Sequence, residues 1–153
     1  MNIDAITTLK LALAAGVSAA VVMDDILHRH ISNRLCATLL AMGLLSSGIA
    51  GGWHGAADGL FGAALGFVVF LIPYGLGGLG GGDVKLMGGF GALTGLQGIL
   101  PALVLVSVAG VATSVLFLLW SRLRARPLPV TVPYAPAIVA GSLLVTISQI
   151  GAR

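Results

Sequence analysis

Charge is what this chain lacks. Only 8% of its 153 residues are Asp, Glu, Lys or Arg, where a soluble domain carries roughly a quarter. Glutamate is absent altogether, and the five acids are Asp4, Asp24, Asp25, Asp58 and Asp83. So little charge excludes an ordinary water-soluble globule and leaves no room for a separate soluble domain. Cysteine is nearly absent too. The single Cys36 rules out an internal disulfide and a Cys-x-x-Cys metal site. It lies in an apolar run, which points to a buried, inert thiol. The net charge of +3 sits in short loops and does not point to nucleic acid.

In place of charge the chain has 58% hydrophobic residues and 23 glycines. Glycine at that level suits close packing of helices in lipid. The reading is an all-α integral membrane protein, a single polytopic domain over residues 1–153. Six spans are expected. The first runs from about Ile3 to Met23, with Lys10 snorkelling to the near interface. A cleaved signal peptide is the rival reading of that segment. A polar stretch, Asp24 to Arg34, reads as a loop. The second span is Leu35 to about Gly51 and the third Gly59 to about Gly75. Asp58 is placed to cap the third. Leu86 to Ser121 would measure roughly 54 Å as one helix, too long for one crossing. A break is expected near Gly95-Leu96-Gln97-Gly98. That makes a short fourth helix, from about Asp83 to Thr94, and a fifth from about Gly98 to Trp120. The last span is about Tyr134 to Ile150.

Six spans put three polar loops on one side. Those loops hold six of the eight basic residues: Arg29, Arg34, Lys85, Arg122, Arg124 and Arg126. The bias assigns them to the cytoplasm. Asp24, Asp25 and Asp83 then share one membrane face. Asp83 is the most isolated acid: 24 uncharged residues precede it and, after Lys85, 36 follow. An acid in such company is exposed at an interface, paired, or functional. Two readings stand side by side. Asp before an apolar helix is commonly an N-cap. Two carboxylates on one face also permit aspartic protease chemistry, in which the pair shares a proton and holds one water.

Gly80-Gly81-Gly82-Asp83-Val84-Lys85-Leu86 resembles the GxGD-x-K-L signature of the type IV prepilin peptidases. Asp25-Ile26-Leu27-His28-Arg29-His30-Ile31-Ser32-Asn33 is similar in spacing to their other aspartate stretch, Asp-Leu-x-x-x-x-Ile-Pro-Asn, in the short forms associated with tight-adherence (Flp-type) pili. That spacing selects Asp25 over Asp24. Val132-Pro133-Tyr134-Ala135-Pro136-Ala137 resembles the start of the family's last helix. Ser32 departs from the usual Pro. The resemblance implies a bacterial inner-membrane aspartic endopeptidase that removes the leader of prepilin-like precursors on the cytosolic side. It implies catalytic Asp25 and Asp83, with Gly80, Gly82, Lys85 and Asn33 in support. Its partners would be the precursor, through an apolar N-terminal helix, and membrane lipids. No metal or cofactor is expected. Larger members carry paired Cys-x-x-Cys motifs linked to N-methylation; Cys36 stands alone, so methylation is not expected.

The remaining polar residues read more simply. His28, His30 and His54 are too scattered for a metal triad. Lys85 reads as an interface anchor, Asn33 as a cap or loop-orienting group, and the three arginines as lipid contacts. A helix N-terminus favours an ionised carboxylate. Capping would therefore make Asp83 the ionised member and Asp25 the proton holder of the pair. The different-class alternative is a small transporter or channel subunit whose acids relay protons or bind a cation. A third is a structural subunit whose acids are all caps.

Overall fold

The computed structural model describes residues 3–28, 31–123 and 134–151. Among these there is no strand. Four α-helices follow one another: α1 (Ile3–His28), α2 (Asn33–Gly75), α3 (Gly81–Leu123) and α4 (Ala135–Gly151). Arg29, His30, Arg124, Arg126, Val132 and Pro133, named above, lie outside the described residues.

The first helix runs further than its apolar run. It continues through Met23 to His28, so Asp24 and Asp25 stand on α1 and not in a loop. Ala14, Ser18, Val21 and Asp25 are all buried. Their spacing of four, three and four residues makes one helix stripe. The Asp25 carboxylate therefore belongs to the packed face of α1. Hydropathy marked where the apolar residues stop. The helix stops where local bonding stops, and Asp24 still pairs with His28 one turn on, at 3.0 Å.

The second and third helices are each 43 residues and each contains a glycine with non-helical backbone. In α2 it is Gly52 (φ 59°, ψ −141°) and in α3 Gly95 (φ 69°, ψ −176°). Such positive φ is accessible to glycine at little steric cost. Each helix thus has two arms, where the sequence reading expects separate spans. The α3 break falls at the start of the expected Gly95–Gly98 window. In α2 the arms fold back on each other, Ser47 facing Gly59. The second arm ends in a Schellman turn: Gly78 N–H donates to Pro73 O at 2.9 Å and Gly77 N–H to Tyr74 O at 3.0 Å.

The first arm of α3 is the centre of the molecule. From Asp83 to Gly95, every residue but Lys85 is buried, with Leu86, Met87 and Phe90 fully so. It packs against α2 on one side and α4 on the other, while α1 packs on α2 and α4. Gly62 and Gly91 bring the α2 and α3 backbones together, since a Cβ on either would meet the other's carbonyl oxygen. This is the small-residue packing expected of helices in lipid. Two helices, Asn33–Gly75 and Gly81–Trp120, are long and apolar enough to cross a membrane, and Ala135–Gln149 is a shorter apolar stretch.

The break at Gly95 leaves backbone groups that other elements satisfy. Asp58 Oδ1 accepts Leu96 N–H at 3.2 Å. Gln149 Nε2, from α4, donates to Thr94 O at 3.2 Å. Asp58 does not cap its own helix, as expected from sequence. It caps the second arm of α3, because the interruption at Gly95 exposes an amide there, while the second arm of α2 has already begun after Gly52, six residues before Asp58.

Candidate active site

Three helix ends meet at the far end of the α3 first arm. The last turns of α1 bring Asp25. Its Oδ2 accepts the Ala135 N–H at 3.3 Å, the first amide of α4. This bond crosses 110 residues and works as an N-cap supplied by another helix. The α4 turn closes behind it, with Ala137 and Ile138 N–H donating to Tyr134 O.

Asp83 is the third residue of α3, not its N-cap. Its Oδ2 reaches back to accept Gly80 N–H at 3.1 Å, while its own N–H donates to Gly80 O at 3.1 Å. That is the acidic half of a capping box. Gly80 and Asp83 therefore form one local unit. The other oxygen, Asp83 Oδ1, is buried with no hydrogen-bond partner among the described residues. A buried acceptor left open is costly unless a proton or a water meets it.

The two acids are 8% and 7% exposed. Asp83 lies within the field of the Asp25 carboxylate. Both are bonded at helix starts. The capping argument that separated them in sequence therefore applies to both and does not choose the proton holder. Tyr134 closes the same corner. Its phenol lies within the field of the Asp83 carboxylate. It keeps its proton at neutral pH and remains an O–H donor. Its ring lies against the backbone of Gly110 in the second arm of α3. In the sequence Tyr134 stood only as part of a Pro-flanked helix start. Its nearness to Asp83 carried no residue-type signal.

The supporting residues divide into two sets. Gly82 faces Ile31, whose Cβ would stand 2.8 Å from a Cβ placed at Gly82. Cys36 Sγ lies 3.8 Å from Gly82 O. So the glycine admits the segment following Asp25 against the segment carrying Asp83. Lys85 and Asn33 find each other, Nζ donating to Oδ1 at 2.7 Å. Asn33 does not cap α2. Ser32 occupies that position, without a side-chain bond. Asp24 points away from the buried pair and ties down the start of α2, accepting the N–H of its N-cap Ser32 at 2.9 Å. No group of three or more His, Cys, Asp or Glu side chains placed to hold a metal ion is found among the described residues.

Two buried carboxylates from different helices, each held by a backbone amide, are the kind of group that aspartic protease chemistry draws on. Known proteins carry a similar chain. A prepilin leader peptidase/N-methyltransferase of Xanthomonas campestris is 32% identical over 125 residues, 76% of this chain and 42% of that protein. One of Bacillus subtilis is 36% identical over 88 residues, 56% of this chain and 34% of that protein. The chain thus spans less than half the length of these curated relatives. No solved structure matches it. The profile of the type IV leader peptidase family matches residues 11–115, a stretch that holds both Asp25 and Asp83, and the chain belongs to that family.

Proposed function

We propose that this protein is a membrane aspartic endopeptidase that removes the leader from type IV prepilin-like precursors. Asp25 and Asp83 activate the water. The observation that carries the reading is the pair itself: two buried acids from α1 and α3, each accepting a backbone N–H at the start of a helix. The ionised member takes a proton from water as its oxygen attacks the scissile carbonyl carbon. The protonated member donates to the carbonyl oxygen, giving a neutral gem-diol. The newly protonated acid then gives its proton to the amide nitrogen while the other carboxylate takes one back from a gem-diol hydroxyl; the C–N bond breaks, leader acid and new amine leave, and the pair returns to its starting state. Protons balance without a metal. Asp83 Oδ1, buried and with no hydrogen-bond partner among the described residues, supports this reading as the oxygen open to the water.

The protein is assigned to the bacterial inner membrane as one polytopic domain. Six crossings follow when the arms of α2 and α3 are taken separately. The first arm of α3, fourteen residues from Gly81 to Thr94, is roughly 21 Å long, short of a bilayer core of ~30 Å. The carboxylates lie at the cytosolic face, and the precursor's apolar helix enters from the bilayer. The spacing of Asp25, Ile31 and Asn33 favours the tight-adherence type.

Purified protein in detergent is expected to cleave its cognate prepilin. Asp25→Asn and Asp83→Asn should each lower the rate by roughly a thousandfold, with unchanged thermal unfolding. Either variant cleaving at the wild-type rate would remove that residue from the mechanism.

A further inference from the structure

The two arms of α2 and the start of α3 enclose a second feature, an apolar groove of about 580 Å³. Leu40 and Leu44 face Ala64 and Phe67 across it, and Lys85 and Asn33 stand at one end. The groove is not part of the carboxylate site. Lys85 follows Asp83 by two residues, which on a helix places them on opposite faces. Lys85 is exposed while Asp83 is buried, as that geometry requires.

Length and charge identify the occupant. From Asn33 to Leu44 the α2 arm rises roughly 17 Å. That is close to one leaflet, half of the ~30 Å hydrocarbon core. An acyl chain of a lipid in that leaflet matches this length. At the rim, the Lys85 ammonium has the neutral Asn33 amide as its hydrogen-bond partner, and no carboxylate among the described residues pairs with it. An ammonium has three donors, so two remain for a ligand.

We propose that this groove binds one phospholipid of the leaflet nearest the carboxylates, its acyl chain between the α2 arms and its phosphate on Lys85. An anionic phospholipid supplies the charge that Lys85 lacks. A zwitterionic one brings its own ammonium, which offsets the attraction.

Native mass spectrometry of the full-length protein, titrated in detergent with phosphatidylglycerol or phosphatidylethanolamine, reads the bound lipid directly. Wild type should retain one phosphatidylglycerol in preference to phosphatidylethanolamine. Lys85→Gln should weaken retention about fivefold, and Lys85→Arg should restore it. Ala64→Trp, at an exposed position, should fill the groove and abolish retention. Val108→Trp, equally exposed on the second arm of α3, should leave it intact. Equal retention by wild type and Ala64→Trp, or no loss in Lys85→Gln, overturns the proposal. So does a benzophenone side chain at Phe67 that crosslinks added prepilin instead of lipid. The readout is bound lipid, so the outcome is independent of whether the protein cleaves prepilin.

Discussion

Asp24 and Asp25 are adjacent in sequence and do opposite work. One residue of helix turns a side chain by about 100°, so Asp25 joins the buried stripe while Asp24 faces Ser32, the N-cap of α2. There its two oxygens accept Ser32 N–H at 2.9 Å and His28 Nδ1 at 3.0 Å. The spacing of Ile31 and Asn33 points to Asp25, and Asp25 is the one of the two that is buried, but nothing in the sequence showed that Asp24 had a task of its own. Its role depends on an acceptor oxygen more than on charge. Asp24→Asn keeps such an oxygen and should retain most prepilin cleavage. Asp24→Ala leaves the Ser32 amide without its acceptor, at a cost of about 1 kcal/mol in order of this partly exposed turn. That should lower the cleavage rate about fivefold, with both carboxylates in place. Rates for the two variants check this; an Asn variant as damaged as the Ala variant would assign the effect to charge instead.

At the scale of elements, the α3 break shows what sequence can and cannot reveal. Its existence was legible, because an uncharged run from Leu86 to Ser121 exceeds one bilayer and glycines stand in its middle. Its closure was not. The freed Leu96 amide goes to Asp58 and the freed Thr94 carbonyl to Gln149, partners chosen by tertiary packing. The same limit applied to Asp25 and the Ala135 amide, since a backbone N–H has no residue type to recognise. The two kinds of glycine make the break testable. Gly95 has φ 69° and ψ −176°, a region essentially closed to other residues, and a Cβ there would collide with the Asp58 carboxylate. Gly95→Ala should cost about 2–3 kcal/mol, from backbone strain and the displaced cap. Gly16, on α1, has nothing within 4 Å of a built Cβ and ordinary φ. Gly16→Ala should be neutral or stabilise by up to about 1 kcal/mol through helix propensity. Reversible unfolding in mixed micelles measures both. Equal effects would mean that the Gly95 conformation is not what holds the break.

For the whole molecule, the breaks and the carboxylates lie at opposite ends of one short helical arm. Gly95 meets Asp58 at one end, and Asp83 shares the other with Asp25 and Tyr134. Gly52, where α2 turns back, belongs with the first end, since Ser47 and Gly59 flank it and both contact Ala92. A bilayer laid across this arm therefore separates His28 and Gly78 from His54 and Gln97. The charge count reached the same division from Arg29, Arg34, Lys85 and the three arginines after Trp120, without reference to packing. Two independent arguments thus predict one pattern of accessibility. In a Cys36→Ala background, single cysteines at positions 28 and 78 should react with a membrane-impermeant thiol reagent in inside-out vesicles and be shielded in right-side-out ones. Cysteines at 54 and 97 should show the reverse. All four residues are exposed, so local burial does not mask the result. If positions 28 and 78 label from different sides, Asp25 and Asp83 do not share a membrane face and the shared-water mechanism fails with them. If all four invert together, the pair survives but the cut moves to the outer face, where a substrate would have to present its leader after export.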